Sequence, residues 1–117
     1  RDWKLQMGSL DPQRDWGYAK EYVQAMWLML QQEKPDDYVV ATGETHSIEE
    51  LLGVAFSHVG LDWKDHVVTN ESFVRPLETG PLCGNPAKSK KLLSWQAKTK
   101  FEDLIKMMVD SDLAIFS

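Results

Sequence analysis

The chain has 117 residues, enough for one small domain and too few for two. Hydrophobic residues make up 43% and charged residues 26%, as in ordinary globular proteins. The formal net charge of −5 argues against a general nucleic-acid-binding protein, because such proteins present a basic surface to the phosphate backbone. We therefore expect no nucleic acid among its partners.

Cysteine content and hydropathy predict the compartment. Cys83 is the single cysteine, so it cannot form a disulfide within the chain, and a reducing environment is expected. The opening residues lack the pattern of a secretory signal, and no apolar run approaches the length of a membrane span. These features predict a cytoplasmic protein without a membrane partner.

The stretch from Tyr18 to Gln32 predicts the longest helix. It contains strong helix formers and neither proline nor glycine. Apolar residues recur at helical spacing on one side, and further apolar residues cover the other: Tyr22, Ala25, Met26, Met29 and Leu30, then Val23, Trp27 and Leu28. A helix that is apolar all round must be buried on most faces, and a chain of this size can hardly cover it. This excess predicts a missing partner surface.

The remaining elements follow in order along the chain. They are a β-rich run at residues 38–42, a helix from the capping box Ser47–Glu50 to Gly60, a second strand at 67–74, a basic helix from Asn85-Pro86 to about Trp95, and a last helix from Phe101. Two short strands cannot form a sheet with both faces covered. We predict a mainly helical α/β fragment of about four helices and two short strands, with residues 1–117 forming a single partial domain.

Several catalytic signatures are missing from the sequence. It has no Gly-rich dinucleotide loop and no phosphate-binding Gly-Lys-Ser/Thr loop, and no tyrosine is followed four residues later by lysine. The three histidines, His46, His58 and His66, have no second ligand at strong metal spacing, so we read them as solvated or hydrogen-bonded side chains. We assign no catalytic residue and no metal ligand, and whether the chain is an enzyme by itself stays open.

Two arginines at element boundaries are the more informative candidates. Arg14 begins the motif Arg14-Asp15-Trp16, directly before the long helix, where an arginine fork suits phosphate or carboxylate. Asp15 can accept backbone N–H bonds. Arg75 follows the second predicted strand, and Glu78 comes three residues later. Two converging arginines would clamp a diphosphate, and Glu78 would accept hydrogen bonds from a ribose or a base. Structural salt bridges are the alternative.

A family resemblance rests on specific residues. The stretch from Leu10 to Gly43, LDPQRDWGYAKEYVQAMWLMLQQEKPDDYVVATG, resembles GDP-mannose 4,6-dehydratases of the extended short-chain dehydrogenase/reductase group. The resemblance continues through Gly60–Asp65, which is similar to plant-type members, Arg75-Pro76, the Lys88–Trp95 helix and Phe101–Leu113. It covers about residues 5–114, and it implies the C-terminal, substrate-binding lobe alone.

The resemblance implies a parent function in nucleotide-sugar metabolism. The family is a lyase that converts GDP-D-mannose to GDP-4-keto-6-deoxy-D-mannose, towards GDP-fucose and GDP-rhamnose. Its bound NADP takes a hydride from C4 of the sugar, water is lost across C5 and C6, and the hydride returns to C6. The cofactor loop and the catalytic Tyr-x-x-x-Lys pair belong to the N-terminal Rossmann part, which this chain lacks. We therefore expect no cofactor in this chain and no turnover by it alone.

The resemblance also gives roles to the candidate residues. By motif position, Arg14, Arg75 and Glu78 would face the nucleotide of the GDP-sugar, while Asp15 and Trp16 would be structural. The implied partners are GDP-mannose and either the N-terminal half of the enzyme or further copies of the chain. The rival hypothesis is a non-catalytic protein-interaction module derived from the enzyme lobe.

The sequence departs from the family pattern at three places, one of which is Ser9 in place of the asparagine of the usual Gly-Asn-Leu-Asp. The family's Val-Asp-x-Leu-x-Gly-Asp is replaced by residues 79–85, and its usual Leu-Gly-Trp-Lys-Pro becomes Leu93-Ser94-Trp95-Gln96-Ala97. Both changes remove charged or turn-forming residues.

Overall fold

The computed structural model describes residues 3–73 and 82–116. Four α-helices dominate these residues, as predicted: α1 (Ala19–Leu30), α2 (Ile48–His58), α3 (Ala87–Leu93) and α4 (Phe101–Phe116). Four short strands form two pairs: β1 (Leu5–Met7) runs parallel to β4 (Val67–Thr69), and β2 (Gln13–Arg14) runs antiparallel to β3 (His46–Ser47). The described chain is therefore mainly helical α/β, with two more strands than the sequence predicted.

The capping box at the start of α2 is confirmed. The Ser47 hydroxyl accepts a hydrogen bond from the Glu50 amide at 3.1 Å, and the Ser47 amide donates to a Glu50 carboxylate oxygen at 3.1 Å. Each side chain thereby satisfies a backbone donor that the first helical turn leaves without an intrahelical partner. The helix ends at His58, and Gly60, where the sequence predicted the end, follows the C-cap Val59 with φ of +79°.

The predicted strand at residues 38–42 is wrong for the described structure. A strand needs a neighbouring strand for its backbone groups, and this segment has none among the described residues. Side chains bond it instead: the Ser89 hydroxyl donates to the Val39 carbonyl at 2.6 Å, and the Thr42 amide donates to Asp15 at 3.0 Å. The second predicted strand, at 67–74, is confirmed at Val67–Thr69, as β4, whereas Glu71–Phe73 form a short 3₁₀ helix and Val74 lies outside the described residues.

Two small cores hold the helices together. Helix α1 packs on α3, where Ala25, Leu93 and Trp95 form a buried cluster. Helix α2 packs on α4, and Leu52, Leu104 and Ile105 are buried side chains of that helix pair. Neither cluster is large. The apolar surface that the chain buries is therefore divided between two small cores.

Glu21 joins α1 to the segment between α3 and α4. Its carboxylate accepts hydrogen bonds from the amides of Lys98 and Thr99, at 3.0 and 3.1 Å. Its backbone carbonyl accepts the indole N–H of Trp95 at 2.9 Å. One residue in the first turn of α1 therefore fixes the connection that leads into α4.

The outer face of α1 is uncovered, as the sequence predicted. Val23, Met26, Trp27 and Leu30, which we call the α1 stripe, are 57–82% exposed. The radius of gyration is 17.2 Å, whereas a compact domain of this length has about 13 Å, and the shortest dimension is only 17 Å. The accessible surface of 8789 Å² exceeds the roughly 6,500 Å² expected for a compact protein of this mass. The chain is a flat layer with an apolar face open.

Ser94 provides a direct test of the helix end. It caps α3 with φ of +53°, in the left-handed region that favours glycine, and it is the one such non-glycine residue described. We expect Ser94→Gly to raise the free energy of unfolding by about 0.5–1 kcal/mol, because glycine has no Cβ to strain there. Urea unfolding measures the change. Ser111→Gly, in the middle of α4, is the control and should destabilise the chain. Equal effects of the two variants would contradict the prediction.

Candidate functional site

Arg14 lies between two neighbouring segments. In the β2–β3 pair it stands opposite His46, and on its other side it forms a parallel bridge with Leu82. Its guanidinium Nη1 donates to the carbonyl of Gln13 at 2.8 Å, and the side chain is partly buried. The Leu82 amide donates to the same Gln13 carbonyl at 3.4 Å. Arg14 is therefore held in a three-segment layer.

Asp15 connects segments that are far apart in the sequence. One carboxylate oxygen accepts from the Thr42 amide at 3.0 Å and from the Thr42 hydroxyl at 2.5 Å. The other accepts from the amides of Gly43, at 2.9 Å, and Gly84, at 3.3 Å. An ionised carboxylate is an acceptor only, so it suits four converging donors. Asp15 thus links β2, the 42–43 turn and the stretch after residue 81.

Trp16 is part of an aromatic column. Its ring stacks on Phe101, with centroids 5.7 Å apart and planes 20° apart. Phe101 is buried at the start of α4 and stacks on the His46 ring at 4.0 Å and 7°. Aromatic contacts of this kind contribute about 0.5–1.5 kcal/mol beyond area burial. The column joins the end of β2, β3 and α4.

His46 occupies a more specific place than the sequence indicated. Its Nδ1 lies 2.8 Å from Glu50, and its Nε2 lies 3.6 Å from Glu44. The Nε2 atom is buried and has no hydrogen-bond partner within 3.5 Å among the described residues. The hydrogen bond from His46, helped by the Ser47 amide, lowers the pKa of Glu50 below its ordinary value of 4.5. The i, i+4 spacing of His46 and Glu50 was the sequence signal for this pair.

A second histidine makes a structural contact. His58 Nε2 lies 2.7 Å from the carboxylate of Asp110, so it connects α2 to α4.

Residues 3–73 and 82–116 contain no group of three or more histidine, cysteine or acidic side chains that could hold a metal ion. Cys83 is exposed. In the same residues, no helix is both long and apolar enough to cross a membrane.

The structure covers part of the predicted site. Arg14, Asp15 and Trp16 are consecutive, but their side chains engage different neighbours: the Gln13 carbonyl, the turn amides and α4. Arg75 and Glu78 lie outside the described residues. Leu82, four residues after Glu78, is described and lies beside Arg14. Sequence reasoning missed the roles of Thr42 and Gly84, because long-range hydrogen bonds to a carboxylate leave no periodic signal.

Comparisons with known proteins identify the family. The family model described as GDP-mannose 4,6 dehydratase matches residues 1–108. The chain belongs to the GDP-mannose 4,6-dehydratase family. It is 55% identical, over 112 residues, to GDP-mannose 4,6 dehydratase 1 of Arabidopsis thaliana, covering 96% of this chain and 31% of that protein. The Homo sapiens GDP-mannose 4,6 dehydratase is 39% identical, with 93% and 34% covered. The chain thus spans about a third of the length of these relatives.

Solved structures support the fold. The chain matches RMD from Pseudomonas aeruginosa, a structure complexed with NADPH, with a TM-score of 0.81 and 17% identity. The match covers 94% of this chain and 36% of that one. At this identity the likeness concerns the fold alone. Together with the family match, it confirms the predicted relationship to extended short-chain dehydrogenase/reductase enzymes.

The charge on Glu50 provides a pH test. Because folding lowers the pKa of Glu50, its stabilisation is complete above the unfolded value near 4.5 and is lost as the pH falls through the folded value. Glu50→Gln keeps the capping geometry and removes the charge. We expect it to lose about 0.5 kcal/mol at pH 7, a value reduced for solvent exposure, and less than that at pH 3.

Urea unfolding at the two pH values measures this difference. Glu49→Gln is the control, because Glu49 is exposed in the same helical turn and has a similar relation to the helix dipole. If Glu49→Gln and Glu50→Gln changed the stability equally at both pH values, the His46 contact would contribute nothing.

Proposed function

We propose that this chain supplies the GDP-sugar-binding part of a GDP-mannose 4,6-dehydratase. That enzyme is a lyase that acts on GDP-D-mannose to give GDP-4-keto-6-deoxy-D-mannose, towards GDP-fucose. The observation that carries the proposal is the Arg14-Asp15-Trp16 motif at a junction of segments, in a chain matched to the family over residues 1–108. A guanidinium fork matches the oxygens of a diphosphate or the edge of a base. We assign Arg14 to the nucleotide and Asp15 and Trp16 to the support of that position.

Arg75 and Glu78 complete the proposed nucleotide contacts. Their assignment rests on their position in the Arg-Pro-x-Glu motif. The location of Leu82 beside Arg14 supports it, because Glu78 is only four residues away in the sequence. An arginine and an acceptor carboxylate together would recognise both the charge of a nucleotide and its hydrogen-bond donors.

Cofactor chemistry is assigned outside this chain. Dinucleotide binding of the Rossmann type needs a strand, a Gly-rich turn and a helix whose N-terminus faces the pyrophosphate. The described elements contain no such unit: β1 and β4 are a lone parallel pair, and no helix follows either strand through a Gly-rich turn. We therefore assign no residue here to NADP, no catalytic acid or base, and no independent turnover.

The α1 stripe supports an N-terminal half of the enzyme as protein partner. Residues 1–117 form one partial domain in this proposal, since the relatives are about three times longer. The stripe borders a groove of 630 Å³ lined by residues that include Trp27, Leu28 and Trp95. The surface in excess of a compact domain, roughly 2,300 Å², is more than the ~800 Å² that one partner buries in a standard interface.

The lone thiol of Cys83 is compatible with the expected cytoplasmic location.

Calorimetry with GDP tests the nucleotide site. We expect the chain to bind GDP and Arg14→Ala to weaken binding by about 10- to 100-fold, the value of one or two charge-assisted hydrogen bonds. Arg75→Ala should weaken binding similarly. Lys20→Ala removes an exposed positive charge from α1 and serves as the control, with an affinity close to that of the unchanged chain. Equal losses for Lys20→Ala and Arg14→Ala would show only a general charge effect.

Complementation tests the partner. The chain is mixed with the N-terminal part of the Arabidopsis relative, GDP-mannose and NADP, and formation of the 4-keto-6-deoxy sugar is measured. We expect product only when both parts are present. Trp27→Asp should weaken association at least about tenfold, because it places a charge where an apolar side chain would be buried. Leu113→Asp, an exposed apolar position on α4, is the control.

Three outcomes decide between the hypotheses. Product from the chain alone would contradict the assignment of catalysis to the N-terminal half. Association without GDP binding would favour the non-catalytic interaction module. Self-association that Trp27→Asp abolishes, with no binding of the N-terminal part, would favour further copies of the chain as the occupant of the stripe.

A further inference from the structure

We propose that Asp15 is a positioning residue for the nucleotide site, and that it acts by holding Leu82–Gly84 against the strand that carries Arg14. This inference rests on the proposed function of Arg14 and gives the site a second, supporting residue. In this proposal, the Asp15 position of the family motif couples two segments physically: the strand that carries Arg14 and the stretch Leu82–Gly84.

The two oxygens of Asp15 face different parts of the chain. Oδ1 is occupied by the two donors of Thr42, and Oδ2 receives the amides of Gly43 and Gly84. The bond to Gly84 spans 69 positions and is the contact by which this carboxylate reaches the 82–84 stretch. A substitution that removes the acceptor Oδ2 therefore removes the hydrogen bond between Asp15 and the 82–84 stretch.

Gly84 fits closely against the segment that Asp15 also holds. A Cβ atom at this position would lie 2.4 Å from the Cβ of Ala41 and 3.2 Å from a methyl carbon of Val39. Cβ atoms do not approach so closely, so any larger residue would push the stretch outward. The backbone at Gly84 thus lies in a slot between Asp15 and residues 39–41.

Leu82 connects the 82–84 stretch to Arg14. Its amide and the guanidinium of Arg14 both donate to the carbonyl of Gln13, and Leu82 is bridged to Arg14 along the strand. Movement of Leu82–Gly84 therefore changes the bonding at the carbonyl that holds the arginine. Asp15 fixes one end of the stretch, two residues from the place where the stretch contacts the arginine.

The substitution Asp15→Asn changes the charge and the number of hydrogen-bond acceptors at this position while the side chain keeps its size. The amide of Asp15→Asn has a single acceptor oxygen and two N–H donors, so it can serve the Thr42 side or the glycine side, but not both. If the oxygen stays with Thr42, the NH₂ group faces the amides of Gly43 and Gly84. Two donors then meet, and the Gly84 amide loses its acceptor.

The test compares Asp15→Asn with a variant that is less stable for another reason. Ser47→Ala removes the α2 cap, which lowers stability and leaves Asp15 untouched. Amide hydrogen exchange at Leu82 and Gly84, and GDP binding by calorimetry, are measured on the 117-residue chain. We expect Asp15→Asn to increase exchange at both amides and to weaken GDP binding by about tenfold or more. Ser47→Ala should change neither.

Gly84→Ala provides a second route to the same result, since it displaces the stretch without altering the carboxylate. It should also weaken GDP binding by about tenfold. If Asp15→Asn and Gly84→Ala bind GDP as the unchanged chain does, Asp15 is not a positioning residue, and the role of Arg14 stands. If the unchanged chain binds no GDP, the proposed function itself fails. Equal losses for Asp15→Asn and Ser47→Ala would show a general effect of stability and would overturn the inference.

Discussion

The Asp15 carboxylate joins three stretches that are far apart in the sequence: β2, the turn at Thr42-Gly43 and the chain at Gly84. Burial of apolar side chains is modest in each half of this flat structure, so directional bonds must fix how the segments lie. Bonds to a charged acceptor contribute about 1.5–3 kcal/mol each, roughly twice the value of neutral ones. Glu21 does the same for the connection into α4. The carboxylates of Asp15 and Glu21 thus fix the relative positions of segments, a role that a larger apolar core has in other proteins.

The aromatic column adds a second kind of connection. Trp16 follows Asp15 directly, and its ring stacks on Phe101, which in turn stacks on His46. The Arg-Asp-Trp motif therefore combines three side chains with different physical roles at one place in the fold. The aspartate holds backbone amides, and the tryptophan packs on the N-terminal turn of α4. In the function that we propose, the arginine carries the charge for a ligand, so three consecutive residues would serve both binding and architecture.

Local features of the chain were predictable because they depend on near neighbours. The capping box at Ser47, the apolar excess of α1 and the family motif around Arg14 all appear within a few residues of sequence. The strand at 38–42 failed for the opposite reason. Its β-rich composition is real, but a strand forms only when another strand lies beside it, and the described chain supplies side-chain partners instead. The contact between His46 and Glu50 had a local signal, whereas its stacking on Phe101 had none.

By itself the sequence determined the helices, the family and the candidate residues, because helical periodicity, capping and motif identity are encoded at short range. Only the tertiary structure decided what surrounds them. It placed Leu82 and Gly84 beside Arg14 and Asp15, left the α1 stripe open and brought His46 onto Phe101. These contacts join residues 55 to 69 positions apart, or concern a surface with no partner among the described residues. Such pairings are set by the balance of packing and hydrogen bonding over the whole fold, which no local pattern contains.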